Sequence, residues 1–271
     1  MLSLHYIKQE RYKRLNMHHV FVEQSIINDN HILISSKEDK ENFTHLKSSL
    51  RLNEGENVRA SIDDESIDFD YMTKAVEVNN DSILLEIIEK INTNELKVKL
   101  NLYQGIPKKD IFEDIIDKSV ELGVYSITPM SSTNCVSKIT DTKEEKKLNR
   151  FNKISKSAAE QSMRAIIPKI NTVLNFKEVI DSIKNDKYNL LFYEDVKDYS
   201  KTVKIFDELK KDKAKDINVN VIIGPEGGFT KEEITYAEQN NIHVLSLGSR
   251  ILRVETATLT ALSYINYVLE G

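Results

Sequence analysis

The chain has 271 residues, of which 40% are hydrophobic and 30% charged; this is the balance of a folded soluble protein, and the length exceeds that of one usual domain. No apolar run approaches the ~18 residues of a membrane helix, "MLSLHYIKQERYKRLNMHHV" is too charged for a secretory signal, and a single cysteine, Cys135, excludes an internal disulfide, so a cytoplasmic location is expected. A net charge of −5 argues against indiscriminate nucleic-acid binding but leaves room for a local basic patch.

Residues 1–16 carry Lys8, Arg11, Lys13 and Arg14 against one acid, Glu10, and read as an appendage to a domain that starts at Met17. "MHHVFVEQSIINDNHILIS" predicts a strand, a turn at Asn28-Asp29-Asn30 and a second strand. "ENFTHLKSSLRLNEGENVRASIDD" predicts a short helix, a turn near Gly55 and a strand from Asn57, and two or three short strands follow around Asn79-Asn80-Asp81. Short strands with frequent turns predict a small β-barrel over 17–92.

From 93 to 271 strands and helices alternate, which predicts a parallel sheet covered on both faces. The predicted strands are 96–105, 124–132, 188–195, 217–224 and 242–248. The predicted helices begin at Pro107, Lys143, Thr230 and Val254, with a lysine-rich helix or linker over 197–215. In the first helix Ile111, Ile115, Ser119 and Leu122 share a face; in the last, Val254, Ala257, Ala261, Ile265 and Val268 do.

Three of the eight glycines, Gly224, Gly227 and Gly228, crowd into "VIIGPEGGFTKEE". A strand, a glycine turn and a helix in that order present ligands at strand C-termini, and Thr230 with Glu233 forms a capping box at the helix start. A phosphate-binding P-loop requires Lys-Ser/Thr after its last glycine, whereas Gly228 is followed by Phe229-Thr230, and no G-x-G-x-x-G occurs. A second loop, "LGSRILRVETATLTAL", places Arg250 and Arg253 three apart before a helix of small residues.

"IGPEGGFTKEE" followed by "LGSRILRVETATLTAL" closely resembles the bacterial 16S ribosomal RNA uracil-N3 methyltransferases (RsmE type) of the SPOUT superfamily. "HLKSSLRLNEGENV", "IPKKDIFEDIIDKSVELGV" and "AAEQSMRAIIPKI" match the same family in the same order, from about Met17 onward. The resemblance implies an α/β trefoil-knot domain preceded by a PUA-like barrel, a homodimer, and transfer of a methyl group from S-adenosylmethionine to a uridine N3 in the small ribosomal subunit. It implies a cofactor site of Glu194, Gly224, Pro225, Glu226, Gly227, Gly228, Leu247, Gly248, Arg250, Ile251, Leu252 and Thr256, in which side chains at 224, 227 and 228 would obstruct the cofactor.

Uridine N3 is a weakly acidic imide nitrogen, so the chemistry needs donors at the carbonyl oxygens and a route for the proton. Arginine serves the first need and cannot serve the second, since it stays protonated. Arg253 is the first candidate, beside Arg250 and Arg164, the last of which could equally line the RNA cleft or serve the dimer interface; Glu255, Glu226 and Glu194 are candidate bases. Glu194 could equally bind a ribose hydroxyl or an amine. RNA contacts are expected from Arg11, Arg14, His45, Lys47 and Arg51, the last two as i,i+4 helical neighbours. No metal is expected, because His18 and His19 would face opposite sides of a strand and no ligand-spaced cluster exists. The alternatives are a knotted methyltransferase acting on a ribose 2′-hydroxyl or on transfer RNA, a non-catalytic ribosome-assembly factor, and, remotely, a nucleotide hydrolase.

Overall fold

The computed structural model describes residues 17–64, 66–93, 95–108, 111–136, 141–212 and 217–270. They form two compact units. One holds the described residues up to Thr93 together with Met163–Ile166, and the other holds the rest from Glu95.

The first unit is a six-stranded sheet in the order β1-β4-β5-β6-β3-β2. Its strands are β1 (His18–Phe21), β2 (Ile27–Asn28), β3 (His31–Ser35), β4 (Asn57–Ser61), β5 (Phe69–Val78) and β6 (Ser82–Asn92). The expected first strand is split by a short 3-10 turn at Gln24–Ile26, and the two or three short strands after Ile67 are instead two long ones, β5 and β6. Val20, Ile32, Ile34, Val58, Ile83 and Leu85 are fully buried and form the core. The ion pair of Arg59 with Asp70 is buried between β4 and β5, with Arg59 Nε donating to Asp70 Oδ2 at 2.8 Å.

The predicted short helix is α1 (Lys40–Thr44), and it continues as a π-helical turn over His45–Ser49. Leu50 N–H donates to His45 O, and Arg51 has φ +55°. Arg51 therefore lies in a left-handed conformation beyond the helix end, so Lys47 and Arg51 are not i,i+4 neighbours on one helical face as expected.

The second unit is an all-parallel sheet in the order β10-β8-β7-β12-β11-β13, with β9 beside β8. Its strands are β7 (Lys99–Gly105), β8 (Ser126–Ser131), β9 (Lys169–Ile170), β10 (Leu174–Asn175), β11 (Tyr188–Phe192), β12 (Asn218–Ile223) and β13 (His243–Leu245). The helices are α2 (Ile111–Glu121), α3 (Asp141–Gln161), α4 (Phe176–Ile183), α5 (Ser200–Lys211), α6 (Lys231–Gln239) and α7 (Val254–Glu270). The lysine-rich segment is a helix, α5. On α7 the buried residues are Val254, Thr258, Ala261, Leu262 and Ile265, so the stripe lies slightly to one side of the expected one.

Four strands of this sheet carry one polar residue each in a single register row: Ser126, Asn101, Asn220 and Asn189. Their side chains join across β8, β7, β12 and β11 at 2.8, 3.1 and 2.8 Å, and Asn189 Nδ2 finishes on Ile183 O at 2.9 Å. Buried amides are tolerated because each finds a partner. The row fixes the register of the central strands and so aligns their C-terminal ends, where the glycine turn leaves β12.

Candidate functional site

At Ile223 the chain leaves the sheet, and the turn Pro225–Gly228 closes with Gly228 N–H donating to Pro225 O at 2.9 Å. Gly228 has φ +64°, a conformation that favours glycine. The helix behind it starts as expected: Glu233 N–H donates to Thr230 Oγ1 at 3.2 Å and Thr230 N–H to Glu233 Oε2 at 2.9 Å.

The sequence reading assigned the glycines to ligand clearance; the atoms that require them belong to the protein. A β-carbon at Gly224 would press on the Phe229 ring at 3.1 Å, and one at Gly227 would lie 2.8 Å from Asn134 Cβ. One at Gly228 would collide with the Glu194 carboxylate. Gly105, at the end of β7, is a fourth such position, since a β-carbon there would overlap the Pro225 backbone. Its sequence signal is a glycine that ends a strand in "LYQGIP". Gly248 is the opposite case. Its φ is +115° and a β-carbon there would meet nothing within 4 Å.

Two clefts open at this edge of the sheet. The first, of about 420 Å³, is walled by Phe192, Ile223, Leu247, Leu252 and Ala257, with Glu194 and Arg250 among its polar groups. The second, wider one of about 1000 Å³ is lined by Ile111, Pro225, Glu226, Gly228, Arg253 and Glu255. Glu194 and Leu252 line both. Ile251, 88% exposed, lines the second. The expected residues Glu194, Pro225, Glu226, Gly228, Leu247, Gly248, Arg250, Ile251, Leu252, Arg253 and Glu255 are thus brought together. Gly224 and Gly227 shape the turn, and Thr256 sits exposed on the first turn of α7.

Several local bonds hold these walls. Ser246 N–H donates to Thr202 Oγ1 and Thr202 Oγ1 to Ser246 O, both at 3.1 Å, which ties the second loop to α5. Glu226 Oε1 accepts from Lys108 N–H at 2.8 Å, linking the turn to the segment after β7. Ala257 N–H donates to Arg253 O at 2.8 Å, so Arg253 stands at the start of α7 with its side chain exposed toward the second cleft. Tyr193, in the first cleft, donates to Asp195 Oδ2 at 3.1 Å. Burial first, then the Asp195 and Glu194 carboxylates, raise this phenol above its ordinary value, so it stays protonated at neutral pH and is no base.

The remaining expected residues lie elsewhere. Arg164 is buried on the Met163–Ile166 segment, which groups with the first unit. Lys47 Nζ donates to Asn79 O at 2.6 Å, while His45 is half-buried and Arg51 exposed. Arg11 and Arg14 lie outside the described residues. Among the described residues no group of three or more His, Cys, Asp or Glu is placed to hold a metal ion, and no helix is long and apolar enough to cross a membrane.

Comparison with known proteins shows the family of the chain. The RNA methyltransferase domain family matches residues 94–266. The ribosomal RNA small subunit methyltransferase E of Bacillus subtilis is 32% identical over 231 residues, covering 85% of this chain and 89% of that protein. The protein of the same name from Mesomycoplasma hyopneumoniae is 39% identical over 194 residues, covering 71% and 79%. A Legionella pneumophila protein solved in complex with bound cofactor SAM superposes with a TM-score of 0.75 at 26% identity, covering 93% of this chain and 97% of that one. The chain belongs to the ribosomal RNA small subunit methyltransferase E family of RNA methyltransferases.

Proposed function

We infer that the protein transfers a methyl group from S-adenosylmethionine to N3 of one uridine in the 16S ribosomal RNA of the small subunit. The observation that carries this reading is the pair of clefts sharing Glu194 and Leu252 at the ends of β11 and β12. A donor and an acceptor can meet across that shared wall.

The first cleft fits the cofactor. Phe192, Leu247 and Leu252 suit an adenine ring, Glu194 suits a ribose hydroxyl or an ammonium, and Gly248 leaves its side of the backbone open. When bound, S-adenosylmethionine supplies an electrophilic methyl group on a sulfonium.

The second cleft takes the uracil, which must leave its stack to expose N3. Arg253 donates to the uracil carbonyl oxygens, where negative charge grows as the N3 proton leaves. Glu255, half-buried on the first turn of α7, accepts that proton, and Ile251 and Pro225 give the ring apolar contact. Glu226 is engaged by Lys108 N–H and serves to hold the turn.

The second unit is a SPOUT trefoil knot in this reading: after the edge strand β13, residues 246–253 return to α7 across the strand ends. The first unit is a PUA-like RNA-binding barrel that contacts RNA through Arg51 and His45, with Arg11 and Arg14 assisting, and Arg164 supports the RNA side. The active protein is a cytoplasmic homodimer; exposed Ile251, Tyr264 and Tyr267 support pairing through the α7 side. Incubation with labelled S-adenosylmethionine and, in parallel, unmodified small subunits, naked 16S RNA or transfer RNA tests the assignment. Label in small subunits is expected. Label confined to transfer RNA, or none despite tight binding to subunits, contradicts it.

A further inference from the structure

Asn134 lines neither cleft, yet it holds the glycine turn from behind. It sits in a tight bend after β8, where Cys135 N–H donates to Ser132 O at 3.1 Å. From there Asn134 Nδ2 donates to Gly227 O at 2.9 Å and Gly228 O at 3.3 Å. Both partners are carbonyls, so the amide nitrogen must face them. Its β-carbon also occupies the space that any side chain at Gly227 would need. One residue earlier, Thr133 N–H and Oγ1 donate to Glu233 Oε1 at 2.9 and 3.0 Å, on the carboxylate that caps α6. The bend therefore grips both the turn and the start of the helix that follows it, across sequence separations of 93 and 100 residues.

We propose that Asn134 is a positioning residue for cofactor binding: it fixes the height and orientation of the Gly227-Gly228 peptides, and through Gly228 the placement of Glu194 at the shared wall of the clefts. This rests on the reading of the first cleft as the S-adenosylmethionine site. The interaction is the carboxamide's own. Asn134→Asp keeps the shape but turns a carboxylate oxygen toward two carbonyl oxygens, and Asn134→Ala removes the donor without adding charge.

The test is calorimetric S-adenosylmethionine affinity, the KM and kcat of methyl transfer to small subunits, and ligand-free thermal unfolding, on the wild type and both variants. Asn134→Asp is expected to weaken affinity and raise KM for the cofactor by about tenfold, and Asn134→Ala by about threefold, the range of one lost or inverted hydrogen bond. Saturated kcat is expected to stay within about threefold, with the ligand-free midpoint falling by no more than about 6 °C. If the Asp variant fails to fold, the Ala variant gives the same readout. Unchanged cofactor affinity in the folded variants, or a loss of kcat with KM intact, overturns the proposal while leaving the functional reading standing. A wild type that binds no S-adenosylmethionine overturns that reading and this inference with it.

Discussion

The carboxylate of Glu194 occupies the space that a β-carbon on Gly228 would need, and Gly228 holds φ +64° beside it. A strand end and a turn more than thirty residues apart are thus fitted to each other, and both line the wider cleft. Gly228→Ala meets the backbone cost of a left-handed conformation, about 1–2 kcal/mol, and also displaces Glu194. Denaturant unfolding should show that loss, and calorimetry should show S-adenosylmethionine affinity reduced by ~10-fold or more. Wild-type affinity in this variant would separate Glu194 from the cofactor.

Gly227→Val should abolish detectable cofactor binding, because its side chain meets Asn134 Cβ. The first unit has its own core and should be unaffected. Hydrogen exchange on the variant checks both parts: protection lost around the turn and kept in β4, β5 and β6. Uniform loss of protection would mean that the turn supports the whole chain.

Arg253→Ala should reduce turnover by ~100-fold or more, the scale of one lost donor to a developing oxyanion, with cofactor affinity changed by less than about threefold. Single-turnover kinetics alongside calorimetry make the comparison. Equal losses in both would recast Arg253 as a residue that shapes the cofactor cleft.

Thr258 Oγ1 donates to Gln104 Oε1 at 2.6 Å, and both residues are fully buried. Thr258→Val keeps the shape and leaves Gln104 Oε1 without this partner, which should cost about 1–3 kcal/mol in urea unfolding. Thr258→Val with Gln104→Leu should lose less than the sum of the single variants. Strict additivity would show that the pair is not coupled.

His243, half-buried on β13, has its imidazole pKa depressed below the ordinary 6.5, first by burial and then by Lys201. The unfolded chain therefore takes up this proton more readily than the folded one. The resulting stability is complete above pH 6.5 and declines as pH falls through the folded value. Thermal midpoints from pH 7.5 to 5.5 should fall less steeply for His243→Gln than for the wild type. Identical slopes would remove His243 from the account.

Much of the second unit was legible because its signals are local. The Thr230/Glu233 capping box, the apolar strands and the helix after Arg253 each declare themselves within one turn or one strand. Helix α4, absent from the expected elements, carries equally local signals: Asn175 and Glu178 as a capping box and Phe176, Val179, Ile180 and Ile183 on one face. The π-helical turn that moves Arg51 off the helix depends on backbone bonding that no residue pattern marks. Gly105 and Asn134 are beyond local reading in another way. Their reason for being where they are is a contact with the 224–228 turn across some 90 to 120 residues of sequence.

The most direct measurement is nucleoside mass spectrometry of 16S RNA from unmodified small subunits after reaction with the protein and labelled S-adenosylmethionine. The account predicts labelled 3-methyluridine at a single position, lost in Arg253→Ala. Label on a ribose 2′-oxygen, or on any base nitrogen other than uridine N3, would contradict it.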